Sequence, residues 1–106
     1  MTPTPDPGQH KRTRGVIIEL LYGRHAAQQS RTDHIALWHM LTDLGCDVGE
    51  NEVITQLEDL LDRGYVTFNQ KKNRFTNRTE ISVIQLTSKA RDLFEETIPA
   101  DPAVSF

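Results

Sequence analysis

The residues best suited to chemistry lie between Arg63 and Thr79, where Arg63, Lys71, Lys72, Arg74 and Arg78 occur without one carboxylate. The preceding stretch, Ser30 to Asp62, has the opposite character. It carries Asp33, Asp43, Asp47, Glu50, Glu52, Glu58, Asp59 and Asp62 against Arg31 alone. A formal net charge of −3 averages over the two blocks and conceals both, whereas a partner meets the local field. Cations with no internal counter-charge suit contact with phosphate oxygens. The alternative is a solvated hairpin whose charges discourage edge-to-edge aggregation. Lys11, Arg12 and Arg14 form a second, smaller basic patch.

Other chemistries find little footing. His10, His25, His34 and His39, with Cys46, are the candidate metal ligands. His34 and His39 are separated by roughly 140° around a helix and share no face. No C-x-x-C or H-x-x-x-H pair occurs, so neither a metal nor a cofactor is expected. Cys46 sits among acids, the wrong field for a thiolate nucleophile. There is no glycine-rich phosphate loop and no serine–histidine–acid set, and the chain reads as a non-enzyme.

The elements that must position the cations can be read in chain order. At 106 residues, with 37% apolar and 25% charged residues, the chain has the makings of one ordinary globular domain. No apolar run approaches a membrane span. The stretch MTPTPDPGQHKRTR lacks the apolar region of a signal peptide, and a lone cysteine fits a reducing cytosol, so a cytoplasmic protein is expected. Pro3, Pro5, Pro7 and Gly8 mark residues 1–10 as a disordered tail. Val16, Ile17, Leu20 and Leu21 give the apolar face of a first helix ending at Gly23, followed by an ambiguous polar stretch from Arg24 to Arg31.

A second helix opens at Thr32 or Asp33, both good N-caps. It buries Leu37, Trp38, Leu41 and Leu44, and ends before Gly45. The third helix starts after Gly49, with Glu50 and Glu52 complementing its dipole, Glu52 placed for half a capping box, and Val48 and Val53 forming a staple. Val53, Ile54, Leu57, Leu60 and Leu61 make its apolar stripe, and Gly64 stops it. Tyr65-Val66-Thr67-Phe68 and Glu80 to Leu86 then read as two strands joined by a basic loop. Thr87 caps a short last helix that turns Ala90, Leu93 and Phe94 inward. Pro99 and Pro102 leave 98–106 as a flexible tail. The fold class is therefore α+β: a winged helix-turn-helix, with a three-helix core, a C-terminal β-hairpin wing and a short closing helix over residues 11–97.

Two motifs carry a family resemblance. The run Leu57-Glu58-Asp59-Leu60-Leu61-Asp62-Arg63-Gly64-Tyr65-Val66 resembles the L-x-x-L-x-x-x-G-hydrophobic-hydrophobic segment that ends the third helix in winged-helix regulators of the MarR and PadR type. Leu86-Thr87-Ser88-Lys89-Ala90-Arg91 is similar to the L-T-x-K-G-R segment after their wing, with Ala90 in place of glycine. The chain is also similar to small proteins of Mu-like prophages.

The resemblance implies a transcriptional regulator binding double-stranded DNA, its third helix in the major groove and its wing on the backbone. Carried over residue by residue, the exposed N-terminal face of helix three is Glu50, Asn51, Thr55 and Gln56. Asn51 and Gln56 would read adenine edges, and Thr55 a thymine methyl or a phosphate. Lys71, Lys72, Arg74 and Arg78, helped by Lys11, Arg12 and Arg14, would hold phosphates. A homodimer through the last helix is expected by the same analogy. Helix three departs from the pattern: it carries Glu50, Glu52, Glu58, Asp59 and Asp62 where Arg or Lys is usual. A second reading follows, a protein-interaction module whose acidic helix, residues 50–62, docks a basic partner.

Overall fold

A computed structural model describes residues 7–26 and 32–106. Residues 1–6 of the expected tail and 27–31 of the ambiguous stretch lie outside them. The described residues form α1 (Pro7–Ala26), α2 (His34–Asp43), α3 (Glu50–Asp62), β1 (Val66–Lys72), β2 (Thr79–Leu86) and α4 (Ser88–Phe94). The architecture is α+β, four helices and one two-stranded antiparallel hairpin among the described residues. This order is compatible with a winged-helix layout.

The local signals that delimit α2 and α4, and the glycine stop of α3, act as their chemistry dictates. Helix α3 starts at Gly49 with no side-chain cap, and Glu52, expected in half a capping box, accepts from Gln56 instead. Asp33 caps α2 by accepting from the Ala36 amide at 2.7 Å, and Gly45 takes the left-handed φ of 83° that ends it. Thr87 caps α4 through the Ala90 amide. Gly64, at φ 81°, turns the chain from α3 into β1. Thr87 closes that corner from the far side of the hairpin. Its hydroxyl donates to the Gly64 carbonyl at 2.6 Å and its amide to the Tyr65 carbonyl at 3.0 Å. Lys89 adds a bond to the Arg63 carbonyl at 2.9 Å and lies over the Tyr65 ring. Both motifs in the sequence thus meet at one joint between α3, the hairpin and α4.

The core is one cluster: Ile17, Ile18 and Leu21 from α1, Leu37 and Leu41 from α2, Val53, Leu57 and Leu60 from α3, with Tyr65, Val66, Ile81, Ile84, Leu86, Ala90, Leu93 and Val104. Each wholly buried Leu or Ile contributes about 1.5–3 kcal/mol relative to exposure. A bulge makes the β2 contribution possible. Thr67 pairs with Gln85 but Asn69 pairs with Ser82, so Val83 and Ile84 stand opposite Phe68 alone. The extra residue brings Ile81 and Ile84 to one face, where strict alternation would part them. Val83 carries the bulge at φ 54°, a conformation in which a β-branched residue is strained. On its other edge, β2 donates the Ile84 amide to the Thr32 carbonyl at 2.9 Å.

Several expectations are corrected. The helix α1 begins at Pro7, inside the expected tail, and runs through Gly23 to Ala26. Bonds from flanking residues outweigh glycine's poor propensity: Tyr22 donates to Glu95 at 2.6 Å and Arg24 to Thr32 Oγ1 at 2.6 Å. Leu44 is 60% exposed and Leu61 40% exposed; Leu44 is the C-cap residue past the last turn of α2, and Leu61 lies beside the wholly buried Leu60 but off the inward face of α3. The basic loop is shorter than expected, because Asn69 to Lys72 belong to β1.

Residues 98–106 are not loose either. Ser105 donates its amide to the Lys11 carbonyl at 3.0 Å, Val104 is buried, and Phe106 packs edge-on against Phe94. Tyr65 donates to Asp101 Oδ2 at 2.5 Å. Burial first, and that bond next, push its phenol up to about 12, and the same bond holds the Asp101 carboxyl below its usual range.

Two substitutions test this account. Val83→Gly removes the strained Cβ and is expected to stabilise the protein by up to about 1 kcal/mol in urea denaturation; a loss of that size would show that the bulge is unstrained. At Gly15, an added Cβ would stand 1.9 Å from the Ser105 carbonyl oxygen. Gly15→Ala is therefore expected to undock the C-terminal segment, seen as lost hydrogen-exchange protection at Ser105 with the α3 amides unchanged.

Candidate nucleic-acid interface

Helix α3 divides its charges by face. Val53, Gln56, Leu57 and Leu60 point inward. Glu52 and Asp59 turn toward α1. Glu52 accepts from Gln56 Nε2 at 2.9 Å and lies 3.2 Å from His10 Nε2, off the hydrogen-bonding axis. Asp59 accepts from Arg63 Nε at 2.7 Å and stands 3.5 Å from Arg14 Nε. The exposed stripe is Asn51, Thr55, Glu58 and Asp62, at the i, i+4, i+7, i+11 spacing of one helix face. Its N-terminal half is polar and uncharged. Its acids begin at Glu58, about 10 Å along the axis from Asn51 and about 4.5 Å from Thr55.

Glu50 belongs to neither stripe. His34, buried in α2, accepts the Ile81 amide at Nδ1 across 3.1 Å, shorter than the 3.4 Å from Nδ1 to the Ile81 carbonyl. That bond places the proton of a neutral imidazole on Nε2, which lies 3.1 Å from Glu50 Oε1. The other carboxylate oxygen of Glu50 accepts from Arg78 Nη2. The bond from His34 first, and that from Arg78 after it, hold the Glu50 carboxyl below its usual range. One carboxylate at the start of α3 thus joins α2, α3 and the hairpin.

This junction flanks an open groove of about 540 Å³ between α3 and the hairpin, lined by Glu50, Asn51, Ile54, Thr55, Asn77, Arg78 and Thr79. Beyond it the hairpin projects its cations. Lys71 and Lys72 are exposed on β1, and Arg74 in the turn. Glu80 is the cross-strand partner of Lys71 and offsets part of that charge.

The structure sorts the residues expected to touch nucleic acid. Lys71, Lys72, Arg74, Asn51, Thr55 and Arg12 are exposed, and Lys11 is half-buried. Arg78 is exposed but bonded to Glu50. Two expectations are overturned. Gln56 is 2% exposed, its Oε1 accepting from Arg14 Nη1 at 2.8 Å. Arg14 is 9% exposed, its Nε donating to the Ala103 carbonyl at 2.8 Å. Both are internal because residues 101–106 fold back over α1. Helix α4, the expected dimer element, has Ala90 and Leu93 in the core.

Reasoning from sequence missed two participants. Nothing local marks His34 as the link between β2 and Glu50. Phe75, 99% exposed in the turn, was readable as an aromatic inside a cationic run.

No group of His, Cys, Asp or Glu arranged to hold a metal occurs among the described residues, and no described helix is long and apolar enough to cross a membrane. No family model matches the chain, and neither a curated protein nor a solved structure matches it.

The junction has a pH signature. A carboxyl held below its ordinary 4.5 stabilises the fold fully above that value, and the contribution is lost as pH falls through the lower folded one. Glu50→Gln is expected to cost about 1–2 kcal/mol at neutral pH. Below pH 4.5 its stability should fall less steeply than that of the wild type in urea melts. Parallel curves would show that Glu50 carries no such load.

Proposed function

We propose that the chain is a winged helix-turn-helix DNA-binding protein acting as a transcriptional regulator. Its wing is the hairpin, which holds the phosphate backbone through Lys71, Lys72 and Arg74. Lys11 and Arg12, on the side of α3 where His10 meets Glu52, add a second anchor. Asn51 and Thr55 face base edges from the N-terminal half of α3, the part of a recognition helix that enters the groove.

The observation that carries this reading is the disposition of acids on α3. Their number argues against a DNA-facing helix. Their placement weakens that objection, since Glu50 lies against Arg78 and Asp59 against Arg63 and Arg14, Glu52 turns toward α1 and away from the exposed stripe, and Glu58 and Asp62 sit in its C-terminal half. The positive end of the helix dipole coincides with the uncharged half of the stripe. Homodimerisation stays part of the proposal, because a two-fold site multiplies the affinity of a small module, but not with Ala90 and Leu93 as its seam.

Fluorescence anisotropy with duplex DNA across a salt series tests it. The logarithm of affinity should fall with the logarithm of salt, and Lys71, Lys72 and Arg74 all changed to Ala should reduce that slope by roughly 2–3 per protomer. Arg78→Ala, whose charge is already paired, should change the slope by less than about 0.5. No binding at low salt would overturn the proposal.

A further inference from the structure

We propose that Phe75 is a wedge: the hairpin tip carries its ring into duplex DNA and unstacks a base step from the minor-groove side. This rests on the DNA-binding reading above and adds to it a second mode of contact.

Phe75 is the most exposed large apolar residue of the described structure, at 99%, and the turn holding it is built. Asn73 Oδ1 accepts from the amides of Phe75 at 2.9 Å and Thr76 at 3.3 Å. The Asn73 amide donates to the Arg78 carbonyl at 2.9 Å, and the Asn77 amide to the Asn73 carbonyl at 2.8 Å. Asn77 takes a φ of 56°, which asparagine tolerates. The backbone that carries the ring is therefore a closed turn, so little backbone entropy remains to be lost on contact.

The surroundings select the partner. Lys71, Lys72 and Arg74 share a shallow site of about 450 Å³ with Phe75, and Glu80 is its one acid. Within the turn itself the neighbours are Asn73, Arg74, Thr76 and Asn77, polar or cationic. A protein groove would select a cluster of apolar anchors, and a membrane surface an extended apolar face. A single ring among cations and amides matches an apolar wedge between base steps, with charges left for the flanking phosphates.

The test uses duplexes carrying 2-aminopurine beside a pyrimidine–purine step, where unstacking is easiest. Wild-type protein should raise the 2-aminopurine fluorescence on binding. Phe75→Ala should abolish that rise and weaken affinity by roughly five- to tenfold, the low end of what one base–aromatic stack gives, with the salt slope unchanged because no phosphate contact is lost. Phe75→Trp should retain the rise. The ring touches no core residue, so these variants should melt like the wild type.

Binding that depends on the wing cations but gives no rise, or gives one that survives Phe75→Ala, overturns the wedge and leaves DNA binding standing. No DNA binding overturns both. A third arm uses phosphatidylserine–phosphatidylcholine vesicles. Phe75-dependent binding to them, without a rise on DNA, would assign the ring to a lipid surface and also overturn the wedge.

Discussion

The geometry of the candidate interface depends on one carboxylate. Glu50 stands at the first turn of α3, accepts from a histidine of α2 and an arginine of the hairpin, and is favoured there by the helix dipole. His34 extends the chain of bonds to the backbone of β2 through the Ile81 amide. Four groups from three elements are therefore fixed by mutual satisfaction. Removing Glu50 or His34 leaves a buried donor without its partner, His34 Nε2 or the Ile81 amide, which costs more than the bond itself contributes. An exposed ion pair alone would hold little. Here the imidazole is buried and aligned by a backbone amide, so the carboxylate has a fixed direction and the hairpin a fixed azimuth about α3.

That constraint has an electrostatic consequence. Arg78 counts as a free cation in the sequence but in the fold neutralises Glu50. The same holds for Arg14, taken up by Gln56, the Ala103 carbonyl and Asp59. The surface is thus less basic where the hairpin turn faces α3, and less acidic on α3, than the residue inventory suggests. What remains concentrated is the distal end of the hairpin, where Lys71, Lys72 and Arg74 face one offsetting carboxylate, Glu80.

How much of this was legible follows the range of the interactions. The caps at Asp33 and Thr87, the stops at Gly45 and Gly64, and the apolar spacing of α3 are set within a few residues, and the sequence displays them. Helix α1 was legible in type but not in extent, because Gly23 is held helical by bonds from Tyr22 to Glu95 and from Arg24 to Thr32, residues beyond the helix itself. The burial of Gln56 and Arg14 follows from residues 101–106 packing back across α1, a contact spanning almost the whole chain that no local pattern announces. The bulge was hidden for a different reason. Its left-handed residue is Val83, where a reader looks for glycine. At the site, Lys71, Lys72, Arg74, Asn51 and Thr55 were found by composition and register. His34 was not, since a buried histidine linking two elements looks like any other.

Where the acids of the third helix point supports the DNA-binding proposal over the docking of a basic partner. A basic protein partner would need a continuous negative face, and residues 50–62 contain enough carboxylates to suggest one. In the folded chain Glu50 turns into the groove toward Arg78, and Glu52 and Asp59 turn toward α1, leaving Glu58 and Asp62 as the exposed acids of the helix. Two carboxylates one turn apart are an ordinary solvent face, screened within about 10 Å at moderate salt. The hairpin concentrates three cations and a projecting ring on an ordered turn. A wet, charged duplex rewards that combination more than a protein surface does, because phosphate contacts need only charge and position while the ring needs a stack to enter. The stronger directional feature of the molecule is therefore its hairpin, and α3 serves as the platform that aims it.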